Sequence, residues 1–181
     1  MNKIMNSIGQ NARKAILNKI DTRTKNKILK RYALLLDKEK NSIISANQKD
    51  IKFAKKKGLK NNLIDRLTID HKKLVGIKKS IEKIVKIKDP VDYILEKWRR
   101  PNGLTISRVS VPIGVLGIIY ESRPNVTSDV ASLCFKSGNA VILKGGSEAI
   151  NTNKILANLF RKSLKENKVD QNFIQFINSK D

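Results

Sequence analysis

Val111 to Ala149 reads VPIGVLGIIYESRPNVTSDVASLCFKSGNAVILKGGSEA, and the texture of this stretch decides the fold. Gly114 to Tyr120 is a short apolar run of the kind expected in a strand buried on both faces. A polar loop follows from Glu121 to Asn125, then a helix from about Val126 to Lys136 and a turn at Ser137-Gly138-Asn139. Ala140 to Leu143 reads as a second buried strand, and Lys144-Gly145-Gly146-Ser147-Glu148 opens a helix that runs to about Lys165. Phe173 to Ile177 reads as a third strand. Strand, helix, strand, helix, strand is the pattern of a parallel sheet with crossover helices.

In such an open sheet, ligands sit beyond the carboxyl ends of the strands. Two loops leave those ends, Tyr120 to Asn125 and Lys144 to Glu148. The second has a logic for a nucleotide. Gly145 and Gly146 permit close backbone approach and unusual dihedrals. Ser147 is placed to cap the helix, whose free N–H groups favour anions. Lys144 adds a cation at the strand end, and Glu148 an acceptor for sugar hydroxyls. The same residues also suit a plain strand-to-helix turn, and neither common glycine-rich phosphate fingerprint is present.

Working toward the N-terminus, Leu104 to Val111 alternates in a manner suited to an extended strand, preceded by a turn at Pro101-Asn102-Gly103 and broken by Pro112. Before it, apolar residues recur at helical spacing. The first stripe is Ile4, Ile8, Ala12 and Ile16, and the second is Ile28, Leu29, Tyr32, Leu35 and Leu36, with Asp21 or Thr22 as cap. Ile43, Ile44, Asn47, Ile51 and Ala54 continue to a stop at Gly58. Asp70 precedes a last helix carrying Leu74, Ile77, Ile81 and Ile84, closed at Asp89-Pro90. The fold class is therefore α/β, an N-terminal helical layer followed by a partial parallel sheet of Rossmann type. The parts are residues 1–100 (helical), 101–112 (a linker and strand) and 113–181 (the βαβαβ portion).

The chain has 181 residues and a net charge of +22, which by itself suggests a polyanion partner. Its distribution argues otherwise. Between Val111 and Ile150 the cations Arg123, Lys136 and Lys144 balance Glu121, Asp129 and Glu148. The excess lies along solvated helical faces, and aromatic residues for stacking bases make up only 5%. The reading is no nucleic acid and no membrane, with a basic binding module as the alternative. No apolar run is long enough for a bilayer and the N-terminus lacks a signal-peptide pattern, which points to the cytoplasm. The single cysteine, Cys134, sits mid-helix beside Leu133 and Phe135, with nothing near to activate it, and reads as a core residue. His71 reads as solvated, and the sequence offers no metal site.

Pro101-Asn102-Gly103-Leu104, YESRPNVT (Tyr120 to Thr127) and SGNAVILKGGSEA (Ser137 to Ala149) together closely resemble the γ-glutamyl phosphate reductase (glutamate-5-semialdehyde dehydrogenase) family, within the aldehyde dehydrogenase superfamily. The resemblance continues weakly upstream through Leu63-Ile64-Asp65-Arg66-Leu67 and Asp89-Pro90-Val91. Two departures are Lys144, where the family often has arginine, and Asp92, where glycine is common. The resemblance implies an N-terminal portion of a protein with a nucleotide-binding domain, a catalytic domain and a β-extension used in homo-oligomer formation. It implies NADPH-dependent reduction of L-glutamyl 5-phosphate to the semialdehyde, with capture by a cysteine from a later segment, so that these residues alone are inactive and expose an unfinished sheet. The NADP(H) site it implies comprises Tyr120, Lys144, Gly145, Gly146, Ser147 and Glu148, with Asn125 as oxyanion donor. A scaffold completed by a second polypeptide is a further alternative.

Overall fold

The structure, a computed structural model, describes residues 2–178; the last three residues of the 113–181 portion fall outside that range. Five helices come first: α1 (Asn2–Ile16), α2 (Thr22–Lys38), α3 (Lys40–Lys56), α4 (Asn61–Leu67) and α5 (His71–Lys86). Asp21 caps α2 by accepting from the Thr24 N–H, and Asp70 caps α5 through the Lys73 N–H. The stripe read on α2 is buried throughout, as are Leu74, Ile77, Ile81 and Ile84 of α5. On α1 the burial is confined to its second half. Ala12 and Ala15 are covered, whereas Ile4 is exposed.

Next come β1 (Ile94–Arg99) and β2 (Thr105–Val109), an antiparallel hairpin turned at Gly103. Residues 94–99 were expected among the helices. Their alternation is hard to see because every residue of β1 is exposed, so no apolar period marks the strand. The rest is β3 (Val115–Tyr120), α6 (Asn125–Lys136), β4 (Ala140–Gly145), α7 (Ile150–Glu166) and β5 (Ile174–Phe176). Short 3₁₀ turns at Ser147–Ala149 and Gln171–Phe173 precede α7 and β5.

The three strands are parallel in the order β3-β4-β5, and Tyr120 pairs with Gly145 at the carboxyl end. β4 is central and packs against both α1 and α6, which covers its two faces. β3 departs from the expectation of a strand buried on both faces. It lies at the sheet edge, and Ile119 is 84% exposed. The core joins the layers through aromatic contacts. Phe160 of α7 lies 4.5 Å from Tyr32 and 5.6 Å from Phe135, ring centre to ring centre, and Phe135 reaches Phe173.

Beside this core, Lys25 of α2 and Asp89, which follows α5, make a buried ion pair at 2.9 Å. Thr22 and the Val91 N–H also donate to Asp89, so the chain between α5 and β1 is clasped to α2. Burial alone would raise the Asp89 carboxyl, but the Lys25 ammonium and these donors outweigh it and hold it below the usual carboxylate range.

Candidate functional site

The site grows from the carboxyl ends of β3 and β4. Because those strands are parallel and in register, their exits stand side by side, and so do the loops that follow them. A carboxylate ties the two together. Glu148 Oε1 accepts from the Ser122 N–H at 2.7 Å and from Ser122 Oγ at 2.9 Å. Ser122 has φ +40°, a left-handed conformation that a non-glycine residue adopts at some cost, here offset by two charge-assisted hydrogen bonds.

The glycines serve this closure, in a way the sequence did not reveal. Neither Gly145 nor Gly146 has a positive φ. A Cβ on Gly146 would overlap the Glu148 carboxylate, and one on Gly145 would overlap Asn153 Nδ2 and crowd Tyr120. The glycines admit protein side chains against the backbone. Lys144 is the half-buried residue next to them, paired across the sheet with Ile119.

Ser147 was expected to cap the following helix, and here the structure corrects the sequence. Ser147 begins a 3₁₀ turn, and neither that turn nor α7 has a side-chain cap of its own. The cap comes from α3. Asp50, buried, accepts from the N–H of Asn151 and of Thr152, and also from Asn151 Nδ2 and Thr152 Oγ1. The positive end of α7 is therefore already matched by a carboxylate.

Beneath the loops runs a chain of hydroxyls. Thr127 Oγ1 donates to Asn153 Oδ1 at 3.0 Å, so its one proton is used and the Tyr120 hydroxyl donates to it at 2.6 Å. This fixes the Asn153 amide with Nδ2 toward Gly145, where that atom is buried and has no partner. Burial pushes the Tyr120 hydroxyl up to about 12, so it stays a neutral donor.

Asn125 opens α6 at the end of the first loop, and one of its amide N–H groups goes to Asp129 Oδ2 at 3.1 Å. Of the residues read from the sequence, Tyr120, Gly145, Gly146 and Glu148 meet at one rim, with Lys144 and Ser147 flanking the glycines, while Asn125 lies one loop away on α6. The sequence reading missed Ser122, Thr127, Asn153 and Asp50. For Asp50 a signal existed: it falls beside Asn47 on the buried face of α3, where a polar residue needs a partner.

Cys134 is buried in α6, and burial pushes its thiol up to about 11, so it is protonated at neutral pH. Among the described residues no histidine, cysteine and carboxylate cluster could hold a metal, and no helix is long and apolar enough to cross a membrane.

No protein-family model matches the chain. Among curated proteins it is 46% identical over 165 residues to the γ-glutamyl phosphate reductase of Persephonella marina, covering 91% of this chain and 37% of that protein. The crystal structure of γ-glutamyl phosphate reductase from Thermotoga maritima superimposes with a TM-score of 0.93 at 41% identity, over 97% of this chain and 43% of that one. A probable aldehyde dehydrogenase from Listeria monocytogenes gives a TM-score of 0.67 at 16% identity, over 98% of this chain and 36% of that one, a likeness of fold alone. The chain thus spans about two fifths of the length of the relatives it matches. At this identity and superposition, the chain belongs to the γ-glutamyl phosphate reductase family, whose N-terminal part it matches.

Proposed function

We propose that the chain forms part of the nucleotide-binding domain of a reductase that converts L-glutamyl 5-phosphate to L-glutamate 5-semialdehyde, releasing phosphate, with NADPH as reductant. One observation carries this reading: the Glu148–Ser122 bridge holds two strand-end loops together at the carboxyl end of a parallel sheet, where open α/β sheets bind their ligands. The family relationship supplies the chemistry.

The residues present fit one end of the cofactor better than the other. A lysine cation, a hydroxyl and a carboxylate suit the hydroxyls of the adenosine ribose, and the lysine and the hydroxyl suit any phosphate on it. The α7 N-terminus does not suit the pyrophosphate, because Asp50 already fills it. Lys144, Ser147 and Glu148 would therefore hold the ribose, with Tyr120 supporting the rim from below. When bound, the nicotinamide supplies the hydride.

Asn125 stands at the loop end as donor to a developing oxyanion. Cys134 does not serve as nucleophile, since a buried, protonated thiol attacks no acyl phosphate. These residues by themselves therefore bind the cofactor without turnover. Homo-oligomer formation through the β1–β2 hairpin is supported by its exposed Trp98, Ile94 and Leu95. The working compartment is the cytoplasm.

Titration of the chain with NADPH and with NADH, followed by nucleotide fluorescence, tests the reading. Lys144→Ala should weaken NADPH binding about tenfold, roughly 1.4 kcal/mol. An unchanged dissociation constant would remove Lys144 from the site, and no binding by the unaltered chain would end the nucleotide assignment.

A further inference from the structure

A second concavity adjoins the site on the far side of Asn125. It is a cleft of about 360 Å³, a size usual for small-molecule sites, lined by Arg66 and Thr68 at the end of α4, Lys73, Gly76 and Ser80 of α5, and Asn125 with Asp129 of α6. Its charges are arranged for a small zwitterion. Asp129 accepts only from Asn125: its Oδ1 is buried without a hydrogen bond, and it pairs with no cation although the chain carries a large positive excess. Asp129 thus lines the cleft as a carboxylate without a counter-charge, which a cationic ligand supplies.

Arg66, also in the lining, makes no ion pair with any described residue, and its fork of N–H groups matches a carboxylate. Lys73 is positioned differently. Its ammonium donates to the carbonyls of Asp65 and Thr68 and so fixes the end of α4 that carries Arg66. The cleft is open over Gly76, where an added Cβ would meet nothing within 4 Å, so only a longer side chain there would fill it.

We propose that this cleft is the subsite for the α-amino-acid end of the acyl-phosphate substrate, with Asp129 taking the ammonium and Arg66 the α-carboxylate. The assignment rests on the reductase reading above and deepens it. Asn125 and Asp129 are four residues apart on one helix and so face the same way. A substrate anchored at Asp129 extends its far, reacting carbonyl toward Asn125. Burial raises the Asp129 carboxyl, and a cation bound beside it favours its charged form.

Amide chemical-shift titrations of the isotopically labelled chain test this with L-glutamate, glutarate, which lacks the ammonium, and 4-aminobutyrate, which lacks the α-carboxylate. L-glutamate should perturb the amides of residues 66, 76, 125 and 129, and both analogues should bind at least tenfold more weakly. Asp129→Asn should abolish the preference over glutarate, Arg66→Gln the preference over 4-aminobutyrate, and Gly76→Leu should block all three without unfolding the helix. Equal binding of glutarate and L-glutamate, equal shifts with inorganic phosphate, or no shift at these amides would overturn the proposal. NADPH in the same experiment reports on residues 144–148 separately. Shifts there with a silent cleft sink this subsite alone, and a responsive cleft with silent loops sinks the nucleotide reading instead.

Discussion

Asp92 shows how a single residue joins sequence to energetics. Its φ is +57°, in the left-handed region that glycine adopts freely. Left-handed geometry costs an L-residue about 1–2 kcal/mol, somewhat less for aspartate, and costs glycine nothing. Its contact with Lys19, at 3.4 Å between exposed groups, returns little. Asp92→Gly should therefore raise stability by about 0.5–1 kcal/mol in urea unfolding. A loss of stability would show that the Lys19 pair outweighs the backbone strain. The glycines at 145 and 146 teach the converse lesson. Their presence was legible as a close approach, but what approaches is Glu148 and Asn153, and one chain of letters cannot say which side chain will lie against a given backbone.

Among the elements, helices were the most readable because their buried stripes repeat. β4 was readable as a continuous apolar run. β1 was not, since an exposed two-stranded ribbon imposes no apolar period, and β3 misled because an apolar strand at a sheet edge is written like one at its centre. The cap on α7 was illegible for another reason: it is supplied by a residue a hundred positions away. The clasp between α2 and the segment after α5 yields a prediction at this scale. Asp89 has a folded pKa below its unfolded value, so its stabilising contribution is complete above the unfolded pKa, near 4, and disappears as pH falls through the folded one. Asp89→Asn leaves the Lys25 ammonium buried without its counter-charge, which should cost about 3–5 kcal/mol at pH 7. The gap between variant and parent should narrow steadily below pH 4 in guanidinium melts, and a gap independent of pH would mean that the carboxylate's charge is immaterial.

For the whole molecule, the dominant quantity is the net charge of +22. Five ion pairs are formed among the described residues, four of them between partly or well exposed groups, so most lysines face other positive charges across water. Raising sodium chloride from about 0.02 to about 0.3 M shortens the screening length several-fold and should raise the melting temperature by a few degrees. A fall would instead show that attractive pairs such as Arg31–Glu166 dominate. The division of charge also explains why composition alone misdirects. The excess lies outside residues 111–150, and the balanced stretch is the one that carries the loops.

The reach of Asp50 across to α7 has a consequence for how the molecule comes into being. A chain made from its amino terminus completes α3 well before Asn151 and Thr152 leave the ribosome, so the acceptor is waiting when the donors emerge. A piece starting at residue 101 would contain every letter of the glycine-bearing turn and still lack the carboxylate that caps the helix after it.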